Sequence, residues 1–220
     1  IRYRFRLLEF RRVLFRSILE APAGEIVFRN PDLVLTHDNT SAIETIFRKM
    51  NGVKVFNPNQ LVVVLDHNAP PTDSNLANKY QAIRRFVNEQ GIEKFQDAGD
   101  GICHQLMAKY ARPEMIIVGS DSHTCTAGAF NAFAAGIDRT EAAGIWRTGE
   151  TWFKVPESIK ITFTGELRKY VSAKDVAFYI IGMLGAAGAD YLSVEFHGKG
   201  VTNLSIADRT WTLRVSPTTA

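Results

Sequence analysis

The sequence predicts an α/β protein with mainly parallel strands, and three observations carry that reading. From Ile18 onward, short apolar runs alternate with segments of helical period, the pattern of a layered α/β architecture. The runs at 61–65 and 115–118 are continuously apolar, as expected of strands covered on both faces. Hydrophobic residues make up 45% and charged residues 22% of the 220, which suits a chain with a sizeable core and excludes disordered, coiled-coil and collagen-like classes.

Taken in order, 33–36 reads as a short buried strand. The segment 40–50 reads as a helix, with Thr40 or Ser41 placed to cap it and Ile43, Ile46 and Phe47 at helical spacing. The run 61–65 is a strand. Residues 75–90 form an amphipathic helix whose stripe is Leu76, Tyr80, Ile83 and Val87, with Gly91 past its end. Residues 101–110 read as a further helix, 115–118 as a strand, 127–136 as a helix of small residues, and 140–148 as another helix. After Pro156 the style changes. Residues 158–164 alternate apolar and polar, the mark of a half-exposed strand. Residues 172–184 read as a helix capped by Ser172, with Asp175 at N3, and 191–196 as an alternating strand. The division falls near Val155, giving a first α/β domain over 18–154 and the start of a second, incomplete one over 155–209. Residues 210–220 lack helical or strand continuity with what precedes them and are expected to be an aberrant tail.

The net charge of +3 is unevenly placed. Residues 1–16 hold six arginines against Glu9, a local +5, while the other 20 basic and 22 acidic side chains leave the body at −2. The chain opens on Ile1, and residues 1–17 are expected to be non-native or disordered sequence with no functional meaning. The longest uncharged apolar run, 176–189, is shorter than the ~20 residues that span a bilayer. Two cysteines, Cys103 and Cys125, exclude a disulfide-rich scaffold and a four-cysteine zinc or iron–sulfur site within this chain. Neither G-x-G-x-x-G nor a P-loop follows a strand.

Chemistry is expected at the histidines. His37 precedes Asp38, His67 follows Asp66, His104 lies four after Asp100, His123 two after Asp121, and His197 two after Glu195. Four of the five fall just past a predicted strand, where open α/β sheets form their ligand sites. A carboxylate beside an imidazole orients the ring and raises its basicity for proton transfer. Asp66-His67 and Asp121-Ser122-His123 follow buried runs and stand out; His104 enters a helix from a glycine-relaxed turn. His37, among polar cap residues, is read as structural. Glu195 and His197 share one face of their strand, and one of them is expected to be functional. A zinc site from Cys103, His104, His123 and Cys125 is disfavoured, because its spacings do not match closed zinc sites. Both cysteines are read as buried small hydrophobes.

Val118-Gly119-Ser120-Asp121-Ser122-His123-Thr124, with the small-residue stretch 127–136 behind it, resembles the signature of the aconitase superfamily. Leu65-Asp66-His67-Asn68, Gly101-Ile102-Cys103-His104-Gln105 and Val194-Glu195-Phe196-His197-Gly198 resemble three further motifs in the same order, and the resemblance spans about 18 to 209. Within the superfamily, Leu35-Thr36-His37-Asp38-Asn39-Thr40-Ser41 and Thr148-Gly149-Glu150-Thr151-Trp152 are most similar to the large subunits of 3-isopropylmalate dehydratase and homoaconitase. The resemblance implies aconitase-like layered α/β/α domains with mainly parallel sheets. It implies an iron–sulfur-dependent hydro-lyase acting on a 2-hydroxy di- or tricarboxylic acid, such as isopropylmalate or homocitrate/homoaconitate, in amino-acid biosynthesis of the leucine type in the cytoplasm. It further implies that His67, supported by Asp66, protonates the leaving hydroxyl, that His104 pairs with Asp121, that His123 pairs with Glu195, and that Ser122 contacts a substrate carboxylate. His67, His104, His123 and Glu195 are then expected to line one cleft.

The departures from the family pattern carry equal weight. The cysteines that hold the family's [4Fe–4S] cluster lie in Gly-x-Cys-Thr-Asn and Cys-x-x-Cys stretches, and neither occurs here. Cys103 and Cys125 do not match those positions, so no metal ligand is assigned in this chain. The proton-abstracting serine, carried on a swivelling domain that is often a separate small subunit, is also missing. The chain is therefore expected to be the N-terminal part of a large subunit, unable to hold the cluster or act alone, with a small subunit as partner. An RNA-binding or a non-enzymatic relative is the alternative; the body charge of −2 disfavours nucleic acid, and no membrane partner is expected.

Overall fold

A computed structural model describes residues 2–8, 21–185 and 187–213. In chain order the strands are β1 (Arg2–Leu8), β2 (Ile26–Arg29), β3 (Leu33–Thr36), β4 (Leu61–Val64), β5 (Lys94–Gln96), β6 (Ile116–Gly119), β7 (Phe133–Gly136), β8 (Thr151–Lys154), β9 (Glu157–Thr164) and β10 (Leu192–His197). The helices are α1 (Thr40–Lys49), α2 (Ser74–Gln90), α3 (Cys103–Leu106), α4 (Arg139–Thr148), α5 (Ala173–Leu184), α6 (Lys199–Thr202) and α7 (Ile206–Leu213). Segments of 3₁₀-helix cover Pro58–Gln60, Met107–Lys109 and Ser122–Phe130. Among the described residues, no helix is long and apolar enough to cross a membrane.

The chain divides into two compact units, one of residues 28–152 and one formed by the segments on either side of it. The division falls inside β2 and β8, which pair as a two-stranded sheet. Residues 21–27, assigned from sequence to the first domain, group with the second unit.

The 28–152 unit is built on a parallel sheet of order β5-β4-β3-β6-β7. Leu33, Leu35, Val62, Val64 and Ile117 enter one core with Cys103, Leu106, Met107 and Ala127. The alternate residues Val34, Val63 and Val118 are equally buried, so both faces of the sheet are covered. On the helices, Phe47, Phe86 and Trp146 are fully buried and lock α1, α2 and α4 together: Trp146 stacks on Phe86 at 5.0 Å and meets Phe47 edge-on at 6.0 Å. The layers are those of an α/β fold, in agreement with the class read from the sequence. The strand order has a functional consequence. From β3 the chain builds outward through β4 to β5, then returns to place β6 on the other side of β3. The order therefore reverses between β3 and β6, and open α/β sheets form their ligand sites outside the carboxyl ends of the strands at such a reversal.

The second unit holds a sheet of order β1-β9-β10, with β9 and β10 parallel and α5 between them in sequence. Ile159, Ile161 and Phe163 pack against Val176 and Ile180 of α5, joined by Leu192, Val194 and Phe196 of β10. The period of two turns Glu195 and His197 to the opposite face of β10. Ser172 and Asp175 form a capping box at the start of α5, as their spacing suggests.

Several expectations need correction. The stretch 127–136 is not a helix: a 3₁₀ segment runs to Phe130, Asn131 turns left-handed (φ 60°), and β7 follows along β6. Its small residues serve close approach and not helix propensity. A Cβ on Gly136 would lie 3.1 Å from the carbonyl oxygen of Asp121, whose loop crosses directly over it. The expected helix 101–110 is shortened to α3 and a 3₁₀ turn, because 97–102 stays a loop, with Asp100 accepting the Asp97 N–H at 2.9 Å and Gly101 at φ 137°. Residues 2–8, expected to be non-native or disordered, form β1 antiparallel to β9; the Arg/apolar alternation has the period of a strand and β9 offers a free edge. Residues 9–17 and 214–220 lie outside the described residues. At Thr210 the chain is helical, since Ser205 and Asp208 cap α7 reciprocally and the helix runs through Leu213.

Candidate active site

The carboxyl edge of the sheet collects ionisable side chains from four segments. The β3–α1 turn supplies His37, Asp38 and Asn39; the loop after β4 supplies Asp66, His67 and Asn68; α3 supplies His104; and the loop after β6 supplies Asp121, Ser122 and His123. Asp121 is the hub. Its Oδ1 lies 2.8 Å from His104 Nε2, accepts the His123 N–H at 2.7 Å and sits 3.5 Å from His123 Nδ1, while its Oδ2 is 3.6 Å from His67 Nε2. His67 Nδ1 is 2.7 Å from Asp66 Oδ1, and the other oxygen of Asp66 accepts the Cys103 N–H at 2.6 Å. The structure therefore brings together Asp66, His67, His104, Asp121 and His123. Exposed Ser122 opens the 3₁₀ turn between Asp121 and His123.

The electrostatics set distinct states for these groups. Burial opposes ionisation of Asp121, but the hydrogen bond from His104 and the His123 N–H outweigh it and hold the carboxyl well below the usual range. Asp66 is lowered in the same way: burial works against the anion, and the Cys103 N–H and His67 more than compensate. Burial also opposes the charged form of His67, yet its bond to Asp66 and the charges of Asp66, Asp121 and Asp38 prevail, so its pKa is raised. His37 stacks on His67 with ring centroids 3.9 Å apart and has a lowered pKa, from burial and then from repulsion by His67. The pair is thus a ring whose protonation is favoured lying on one whose protonation is disfavoured. With Nδ1 of His67 committed to Asp66, Nε2 is the atom left to deliver a proton.

Sequence reasoning missed the scaffold beneath this cluster. His37, read as structural, lies within the site. Thr40 and Ser41, expected to cap α1, do not do so: Asn39 occupies the N-cap without a capping bond. Its side chain instead crosses the β3/β6 reversal, donating from Nδ2 to the Ser120 carbonyl (2.9 Å) and accepting the Ser120 hydroxyl at Oδ1 (3.0 Å). A polar His-Asp-Asn directly after a buried strand is the signal in the sequence that points to these residues. Tyr80, counted in the core stripe of α2, is fully buried but aims its hydroxyl at Asp38 (2.8 Å).

Glu195 belongs to the other unit, where its Oε2 is 2.8 Å from His197 Nε2 on the same face of β10. Among the described residues, three ligand sets have donor atoms mutually within 4.8 Å: His37–His67–Asp121, Asp66–His67–Cys103 and His104–Asp121–His123. None resembles a cluster-binding set. The sequence holds two cysteines. Burial and then the Asp66 carboxylate push the buried Cys103 thiol far up, which keeps it protonated when a cluster needs thiolates. The residues of this chain do not fit an iron–sulfur cluster.

A fold with a parallel sheet and these Asp/His pairs at its carboxyl edge defines a class, and comparison with known proteins assigns it. Residues 12–214 match the Aconitase family (aconitate hydratase), and the chain belongs to that family. Among its relatives, 3-isopropylmalate dehydratase large subunit 1 of Methanopyrus kandleri is 44% identical over 193 residues, covering 86% of this chain and 46% of the relative. The methanogen homoaconitase large subunit of Methanocaldococcus jannaschii is 40% identical over 191 residues, covering 86% and 45%. Large subunit 1 of the Thermotoga maritima 3-isopropylmalate dehydratase is 40% identical over 192 residues, covering 86% and 46%. The chain spans about half the length of the curated relatives it matches.

Proposed function

We propose that this chain carries the histidine–carboxylate part of the active site of an aconitase-type hydro-lyase, which removes water from a 2-hydroxy di- or tricarboxylic acid and returns it. The observation that carries the proposal is the Asp66–His67 pair at the carboxyl edge of the sheet, with a raised pKa and Nε2 facing the Asp121 hub. Dehydration breaks a C–O bond and a C–H bond and forms a C=C bond. Hydroxide is a poor leaving group, so its oxygen must gain a proton as the bond breaks, and a group positioned to give one lowers the barrier. His67 supplies that proton from Nε2 while Asp66 fixes the ring through Nδ1. His104 and Asp121 form a second hydrogen-bonded pair beside it, and Ser122 meets a substrate carboxylate.

On this reading the chain is the N-terminal part of a cytoplasmic large subunit. Cysteines elsewhere in that protein hold a [4Fe–4S] cluster, and a small subunit carries the base that removes the C–H proton. Substrates of the isopropylmalate or homocitrate/homoaconitate type are favoured by the names of the relatives. The test is an anaerobic assay of the complete two-subunit enzyme on both substrate types, following the unsaturated acid by its absorbance. Turnover of one or both is expected. A correctly assembled enzyme that dehydrates neither contradicts the assignment.

A further inference from the structure

Asp38, in the β3–α1 turn, gathers four donors. Its Oδ1 accepts the N–H of Asp66 (3.1 Å), and its Oδ2 accepts the N–H of Asn68 (2.6 Å), the side-chain amide of Asn68 (2.9 Å) and the hydroxyl of Tyr80 (2.8 Å). Two of these are the backbone amides immediately before and after His67. Among the described residues, Asp38 is the side chain that accepts from both. We infer that Asp38, braced by the buried Tyr80, is a positioning residue that clamps the peptide on either side of His67 and so sets where Nε2 of the proton donor points. The inference rests on the role proposed for His67.

Chemistry explains why a carboxylate stands there. A carboxylate is acceptor-only, with two oxygens and about four lone-pair sites, and four donors converge on it. An amide in the same place turns an N–H toward a donor whichever way it is flipped, so at least one loop amide loses its partner. Tyr80 remains a donor because burial, followed by its bond to Asp38, pushes its hydroxyl pKa up. The charged groups around His67 are Asp66 in its own loop, His37 and Asp38 from the β3–α1 turn, and Asp121 from the loop after β6. Asp38 also acts on the ring as one of the negative charges favouring its protonated form.

The test compares Asp38→Asn, Tyr80→Phe and His67→Ala in the complete enzyme. The control is Asp32→Asn, a carboxylate that accepts the Ile116 N–H (2.7 Å) at the amino end of the same sheet. A proton donor displaced by about 1 Å loses roughly 10²-fold in rate. Asp38→Asn is expected to lower kcat by that order with KM changed a few-fold at most, and to move the alkaline limb of kcat/KM to lower pH. Tyr80→Phe gives a smaller change in the same direction. Asp32→Asn lowers the melting temperature and leaves the limb in place. NMR titration of the His67 ring in this chain should show the same downward shift in Asp38→Asn and, more weakly, in Tyr80→Phe. An unmoved limb and His67 titration in Asp38→Asn, or in Tyr80→Phe should Asp38→Asn not fold, overturn the inference, even where His67→Ala abolishes turnover and the role of His67 stands. Near-normal kcat in His67→Ala removes the role instead, and the NMR shift still decides whether Asp38 orients the ring.

Discussion

At the residue scale, Asp121 ties the site together and its ionisation is linked to stability. Its carboxyl is held below its ordinary value of 3.8 in the fold. A carboxylate with a lowered folded-state pKa contributes stability above its unfolded pKa, and the contribution fades as pH falls through the folded value. Asp121→Asn should therefore melt at a lower temperature than the parent at pH 7, with the two curves converging under strongly acidic conditions. A gap independent of pH would mean that the cost is packing and not charge. His67 works in the opposite sense. Its raised pKa contributes stability below about 6.5, the unfolded value, which is lost as pH rises through the folded one. Asp121→Asn should consequently close on the parent only as pH falls into the strongly acidic range, whereas His67→Ala should close on it as pH rises through the raised pKa of His67.

At the element scale, the loop after β6 depends on the glycines beneath it. The Cβ of Gly136→Ala would sit 3.1 Å from the Asp121 carbonyl oxygen and 3.3 Å from the Ser122 Cα, both backbone atoms with little room to yield. The variant should lose about 1–3 kcal/mol, the cost of overpacking a close contact, read by denaturant unfolding. It should also perturb the His104 ring resonances through Asp121. Elements whose own residues carry the period were legible in the sequence: β3, β4 and β6 as apolar runs, α2 and α5 by their stripes and caps. Short elements completed by neighbours were not. Lys94-Phe95-Gln96 has no alternation of burial and becomes β5 by pairing with β4, while Phe133-Ala134-Ala135-Gly136 reads as helix until β6 is beside it. The Asp/His pairs at the strand ends were legible because topology alone puts those ends on one edge. Asp38 and Asn39 were hidden because their partners, Tyr80 and Ser120, lie 42 and 81 positions away. No local pattern encodes such pairs.

At the scale of the whole molecule, two thiols, one of them buried and held protonated by its surroundings, leave this chain short of cluster ligands. Expressed alone and reconstituted anaerobically with iron and sulfide, it should develop no stoichiometric [4Fe–4S] absorption; a stable brown species would place the ligands among residues named here. The central claim is that His67 gives up its proton as the C–O bond breaks, and kinetics of His67→Ala in the complete enzyme, at matched cluster content, test it most directly. A positioned general acid contributes about 10²–10⁴-fold, or ~3–5 kcal/mol of barrier. The account predicts a loss of that size in kcat with KM changed only modestly, because the proton moves only as the transition state forms. Asp66→Asn should show a smaller defect of the same kind. Near-normal kcat with a raised KM in His67→Ala would contradict it, making His67 a binding residue and moving the acid to another side chain.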